Sequence, residues 1–368
     1  MNILFLLHTS KISGANKSLG LALSVMNVKN IFRSIYYISL DNQAETKFFQ
    51  NYKRLDFNFD KKNHYGLKQR FYKKFFGKPF SSPYQDSIAS FESLGLTVLW
   101  ANTIVTLFFA IDIKKKFPEL KLILHIHEME IIIKQICADI SIYDSFIDTY
   151  IVVSEYSYQF LISLGIPSVK IRLIHECSEL QVYNKNHLPE NSDFFKVVMV
   201  GDAHWRKGDD LFIQVANKVL KKTDSIQFYW IGNVDSIKKT IIENELKKLN
   251  ISSSVHFIAE QLDCSDLIQQ MDLFLLTSRE DPFPLVAIEA GMAGLPIICF
   301  KDTTGIEFHV QKSCGVAVDY LDIELMAVNV LNYFENRNNL KTQKEFIKSY
   351  YSRFSPNLIA EQLLKIFE

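Results

Sequence analysis

The chain has 368 residues, of which 48% are hydrophobic, a length that suits two domains and an apolar content ample for two cores. Lys+Arg and Asp+Glu balance at 41 each, but residues 1–178 carry 21 basic against 15 acidic side chains and residues 179–368 carry 20 against 26. That excess is too small to argue for nucleic acid, and its asymmetry points to different partners for the two halves. The five cysteines (Cys137, Cys177, Cys264, Cys299, Cys314) are scattered and never form a C-x-x-C, which argues against a disulfide framework or a zinc site and fits a reducing cytosol.

Short apolar runs alternate with longer helical patterns throughout, the signature of parallel α/β layers. The first run, MNILFLLHTS, lacks a basic leader and reads as a buried strand rather than a signal peptide. It leads into His8-Thr9-Ser10-Lys11-Ile12-Ser13-Gly14-Ala15 and a helix over Leu19 to Met26, with Asn16 or Ser18 as cap. Gly14 allows close backbone approach to a ligand, and an ordinary βα turn would have the same composition. The strand SIYYISL comes next. Between Lys53 and Lys78, nine basic residues and seven aromatics are interleaved against only Asp56 and Asp60. Such a stretch suits an anionic bilayer surface or, equally, a solvated covering element. TVLWAN, LKLILHIH, TYIVVS and IRLIH are the remaining strands of this half. LKLILHIH ends at His127-Glu128, with His125 on the same strand face. A neutral His127 imidazole there suits a ligand hydroxyl or a local backbone group. No apolar run approaches the ~20 residues of a spanning helix, so the expectation is a cytoplasmic protein, peripheral on the membrane if the basic stretch docks there.

The polar stretch around Cys177 to Phe195, with Pro189 and Asn191, reads as a join. The expected organisation is a first domain over 1–178, a linker over 179–195, a second domain over 196–352 and a terminal helix over 353–368 that starts at Ser355-Pro356. Second-half strands are KVVMVG, IQFYWIG, VHFIA, LFLLTS, PIICF and GVAV. After Val200-Gly201 come Asp202, Arg206, Lys207 and Gly208. Cations fixed here would stabilise a departing diphosphate, or they are simply surface charges. The segment from Thr277 to Pro296 carries most: Asp281 and Glu289 stand eight apart, separated by Pro282, Phe283, Pro284, Leu285 and an apolar run. Pro282 and Pro284 suit a loop or a first helical turn, so a helix is expected from Pro284 to about Ala293. Its free N–H groups and dipole attract phosphate, and the flanking acids suit hydroxyl-bearing groups of one ligand. The segment reads as a seat for a sugar nucleotide.

This segment resembles the donor-site signature of the family 4 retaining glycosyltransferases, whose usual form is Glu-x7-Glu; here it is Asp-x7-Glu. The resemblance implies a GT-B fold: two Rossmann-like doubly wound α/β domains facing across a cleft, with a C-terminal helix returning to the first. It places Asp281 at the donor sugar, Glu289 at the ribose hydroxyls, and Phe283, Pro284 and Leu285 at the nucleotide-sugar helix start. Gly14 and Ala15 match the family's first loop against the donor phosphates, with Gly201, Thr304 and Gly305 also lining the donor site, and His127-Glu128 matches its His-acid pair. Lys207 matches the family lysine. Asp202 stands where the family usually has Arg, and Arg206 is the substitute. Glu307, after the Thr303-Thr304-Gly305 loop, belongs to that loop or is a solvated acid. The activity implied by the resemblance is that of a retaining hexosyltransferase needing no metal or cofactor beyond its nucleoside-diphosphate sugar. Its acceptor would be a saccharide or lipid-linked hydroxyl in bacterial surface polysaccharide or glycolipid assembly. A sugar-nucleotide epimerase and a non-catalytic nucleotide-sugar-binding partner are the alternatives, the second favoured by the missing Arg at 202.

Overall fold

Each of the twelve apolar runs becomes a parallel strand, and the computed structural model describes residues 1–9, 13–41, 48–55, 57, 88–180, 194–261 and 263–368. The chain divides into two compact units, Met1–Cys177 with Pro356–Glu368, and Ser178–Ser355. In the first, β1 (Asn2–Leu7), β2 (Ser34–Ser39), β3 (Lys53–Arg54), β4 (Val98–Asn102), β5 (Lys121–Ile126), β6 (Thr149–Val152) and β7 (Ile171–Leu173) form one sheet in the order β3-β2-β1-β4-β5-β6-β7. In the second, β8 (Phe195–Val200), β9 (Ile226–Ile231), β10 (Val255–Ile258), β11 (Leu273–Leu276), β12 (Ile297–Phe300) and β13 (Gly315–Val318) are ordered β10-β9-β8-β11-β12-β13. Both sheets reverse direction beside their first strand. The crevices between the carboxyl ends of β1 and β4, and of β8 and β11, are therefore where such sheets take ligands.

The strands read as continuous apolar runs because both faces are covered. Side chains alternate across the first sheet: Leu4, Leu6, Leu99 and Ala101 join one core, Ile3, Phe5, Leu7, Val98 and Trp100 the other. The helix Leu107–Lys116 supplies Phe109, Ala110 and Ile113 to the former. The helices Gly14–Val28 and Pro356–Leu364 close the latter through Leu19, Ala22, Leu23, Ile359, Ala360 and Leu363. The terminal helix thus belongs to the first unit. In the second unit the helix Leu285–Met292 lies against the helix Leu340–Tyr351 so closely that a Cβ on Gly291 would sit 2.2 Å from the Tyr351 ring.

Two expectations change here. Helix Gly14–Val28 begins five residues earlier than Leu19, capped by Ser13, whose side chain accepts from Asn16 N; Ser18 instead accepts the N–H of Cys177 at 2.8 Å. β3 was not evident from the sequence. It puts Lys53 beside Tyr36 in the sheet, ammonium over ring at 5.6 Å, while Phe57 packs in the core on Phe109. The rest of the basic stretch over 53–78, Leu55 and Phe57 apart, lies outside the described residues, as do residues 181–193 of the expected 179–195 linker. Among the described residues no helix is long and apolar enough to cross a membrane.

Candidate functional site

The chain leaves β8 through Gly201, where φ is +151° and a Cβ would stand 3.2 Å from the stem of Lys207; glycine leaves room for the lysine to fold back. It turns into helix Asp209–Leu220 at Gly208, with φ +73°, where a Cβ would meet the Thr277 carbonyl at 2.1 Å. Only glycine fits that turn. Asp202 accepts the N–H of Asn233 at 3.3 Å, which ties its own loop to the one after β9. The β8 loop is also laced to the loop after β11. Arg279 N donates to Arg206 O at 2.7 Å, Thr277 Oγ1 to Lys207 O at 3.1 Å, and Arg206 Nη1 to Glu280 O at 2.6 Å. Arg279 reaches back to Trp205 O at 2.7 Å and grips Asp210 with both terminal nitrogens.

This lacing brings three of the expected residues together. Lys207 Nζ lies 2.5 Å from Asp281 Oδ2, and Arg206 Nη1 lies 3.6 Å from Oδ1. Asp281 is only 7% exposed. Burial pushes its carboxyl up, but Lys207 and Arg206 outweigh that and hold it below the ordinary value. Its neighbour Glu280 is also buried, and burial carries its carboxyl upward against the pull of Arg206. The Thr303–Gly305 loop zips onto the same segment: Asp281 N donates to Thr303 O and Gly305 N to Pro282 O, both at 2.8 Å. Glu307 is buried and accepts the N–H of Asp302 at 2.6 Å; it is a turn-closing acid, not a solvated one.

Helix Leu285–Met292 starts at Pro284 without a side-chain cap, so the positive end of its dipole faces the Asp281 loop uncompensated by a side chain at the cap. Glu289, a turn and a half inside, is buried and accepts from Ser178 Oγ at 2.6 Å. Phe283 spends its ring on packing, edge-on to His309 and Phe354 at 5.5 and 5.2 Å.

In the first unit, polar residues gather at the carboxyl ends of β1, β4, β5 and β7. His127 Nδ1 lies 2.5 Å from Glu176 Oε1 and its Nε2 lies 2.8 Å from Asn102 Oδ1. Both ring nitrogens of His127 are thus engaged by side chains and not by local backbone. Burial lowers the basicity of His127, but the charge and hydrogen bond of Glu176, with Glu128 adding, raise it above the ordinary histidine value. Glu128 accepts the N–H groups of His127 and Ile104. Asn102 Nδ2 reaches Asn16 Oδ1 at 3.3 Å and the Ala15 carbonyl at 3.5 Å, beside Gly14. His125 is buried with its ring 3.9 Å from that of His127 and no hydrogen-bond partner on either nitrogen. Sequence reasoning missed Asn102, Glu176, Ser178 and Arg279. The one available signal was position: each follows or ends a strand at the ligand-bearing edge.

Two parallel sheets with these strand orders define the fold as GT-B. Over the full chain it is similar to Anabaena HepE in complex with UDP-glucose, with a TM-score of 0.76 and 17% identity, covering 100% of this chain and 99% of that one. Residues 183–353 match the family described as Glycosyl transferases group 1. It is 30% identical over 131 residues to an uncharacterized glycosyltransferase of Haemophilus influenzae, 35% of this chain and 36% of the relative. It is 28% identical over 237 residues, 61% of each chain, to the N,N'-diacetylbacillosaminyl-diphospho-undecaprenol alpha-1,3-N-acetylgalactosaminyltransferase of Campylobacter jejuni. The matches span between 36% and 61% of these relatives' lengths.

Proposed function

We propose that the protein is a retaining, metal-independent glycosyltransferase. It moves a hexosyl group from a nucleoside-diphosphate sugar to a hydroxyl of a saccharide or lipid-linked acceptor, in bacterial surface polysaccharide or glycolipid assembly. One observation carries this reading: Lys207 and Arg206 converge on the buried Asp281 beside the uncapped helix start at Pro284. In the resting protein Asp281 is the counter-ion of both cations. A donor diphosphate entering at the helix start takes over part of that role and leaves Asp281 to accept from sugar hydroxyls. As the glycosidic bond breaks, negative charge grows on the diphosphate, where preorganised cations and helix N–H groups stabilise it most. The acceptor hydroxyl attacks from the departing face and passes its proton to a phosphate oxygen. Glu289 holds the ribose hydroxyls. The names of the relatives support the substrate class, since HepE was crystallised with UDP-glucose and the Campylobacter relative is named for a lipid-linked diphosphate acceptor.

A thermal-shift panel of UDP-, GDP-, ADP- and dTDP-sugars tests the donor, because a ligand of the folded state raises stability by mass action. No shift with any member sinks the reading. Turnover should then survive excess chelator; an absolute requirement for Mg²⁺ or Mn²⁺ would remove the metal-independent scheme. Consumption of nucleotide sugar without acceptor would identify an epimerase, and binding with no transfer across a broad acceptor screen a non-catalytic partner.

A further inference from the structure

His127 is held by two acceptors at once. Asn102 Nδ2 faces Asn16 Oδ1 at 3.3 Å and the Ala15 carbonyl at 3.5 Å, so the amide oxygen must be the atom turned to His127 Nε2, 2.8 Å away. The other ring nitrogen meets the Glu176 carboxylate at 2.5 Å. Against an ionised Glu176, a singly protonated imidazole would set a lone pair against a lone pair at one of these contacts. From Asn102 the connections continue: Asn16 Nδ2 donates to Thr9 O at 2.7 Å, tying the helix start that carries Gly14 and Ala15 to the residues after β1.

We propose that Glu176 and Asn102 hold His127 as an imidazolium, and that His127 is a positioning residue that sets Asn16 and the start of helix Gly14–Val28 through Asn102. It acts on ligand through that helix start and not by touching it. Only the word ligand here rests on the donor reading above.

The surroundings fit one positive charge at this point. Glu176 from the end of β7 and Glu128 from the end of β5 both favour it. His125 on β5 and His8 at the end of β1 face the same ring and oppose it; each is driven by burial, then by His127, toward the neutral form, with Asp41 partly offsetting this at His8. One imidazolium between neutral histidines is thus the stable arrangement. A buried charge of this kind needs its partner, because removing the partner leaves it uncompensated.

The test uses ring-¹⁵N histidine and backbone-amide NMR on the full chain across pH, with no ligand. In the unmodified protein both His127 nitrogens should carry protons at neutral pH, with a midpoint above the ordinary 6.5. The amides of Thr9, Ala15 and Asn16 should shift with that same midpoint, because losing either proton breaks the link to Asn102 or to Glu176. In Glu176→Gln the carboxamide N–H can donate to Nδ1 while Nε2–H keeps Asn102. The midpoint should drop by about one unit or more, and these amides should no longer follow pH above it. A singly protonated His127 at neutral pH in the unmodified protein, or amides at these positions indifferent to its titration, would overturn the proposal. Both results stand whatever the thermal-shift panel finds.

Discussion

Arg279 and Asp210 are joined by two parallel bonds, 2.8 and 2.7 Å long, across 69 residues of sequence. The Arg279 guanidinium also lies over the Trp205 ring at 5.2 Å. One side chain thereby ties Trp205, just before Arg206 and Lys207, to Asp210, just after them. Arg279→Lys keeps the charge and loses the planar fork. Asp210 is 46% exposed at its side chain, so the stability cost should stay within about 1 kcal/mol. Turnover should fall about tenfold, the equivalent of ~1.4 kcal/mol misplaced from the transition state. Melting and initial-rate measurements on one preparation separate the two; equal losses in both would make the clamp purely structural.

The two cations on Asp281 should both matter to the chemical step. Removing one preorganised donor at a developing charge typically costs ~10²–10³ in rate, and Arg206→Ala and Lys207→Ala should each fall in that range. Arg206→Lys should recover only part. A near-normal Arg206→Ala beside a crippled Lys207→Ala would show that Arg206 serves the Glu280 carbonyl alone.

The acid pair should divide its labour. Glu289→Ala should weaken nucleotide binding by ~1.5–3 kcal/mol, the worth of a hydrogen bond to a charged acceptor, and Asp281→Ala should depress turnover more than affinity. Ser178→Ala removes one donor from Glu289 and should cost less, about 0.5–1.5 kcal/mol of affinity or stability. Titration calorimetry with the nucleotide sugar and steady-state rates check all three; unchanged binding and turnover in Asp281→Ala and Glu289→Ala would remove the donor assignment.

Acid should loosen the first unit between pH 6.5 and 4. His8 is lowered to about 4, chiefly by burial, and His125 well below its ordinary value for the same reason. Groups with depressed histidine values add stability that is full above 6.5 and is lost as pH falls toward the folded value. Each steepens the loss by up to ~1.4 kcal/mol per pH unit. His127, raised, works the other way: its contribution is full below 6.5 and disappears as pH rises through its folded value. Asp281, lowered, keeps its contribution until pH falls below the ordinary carboxylate value of 3.8. Denaturant melts between pH 6.5 and 4 should therefore show a steep loss that His125→Phe makes shallower. An unchanged slope in that variant would mean that His125 does not titrate on unfolding.

Much of this was legible in the residues. All twelve apolar runs became strands, because a parallel strand buried on both faces needs little beyond local hydrophobicity. The helix at Pro284 was legible from proline chemistry. β3 was not, since Lys53 and Arg54 pair only because Tyr36 and Tyr37 lie alongside. Nor was the meeting of Lys207 with Asp281, 74 residues apart, or that of His127 with Glu176, 49 apart; no spacing rule reports a contact made by sheet topology. At the end of the acid segment Gly291 answers to the Tyr351 ring and Gly294, at φ +83°, to a turn, neither of which spacing reports.

The helix Pro356–Leu364 completes the core begun by β1, which gives synthesis an order. The second unit has all of its residues when Ser355 emerges, while the first still lacks Ile359, Ala360, Leu363 and Leu364. Until then the part of this core beside Gly14–Val28 that the terminal helix covers stays open, and a nascent chain halted before Pro356 offers it to chaperones or to other chains. Maturation of the first unit therefore waits for residues made after the whole of the second.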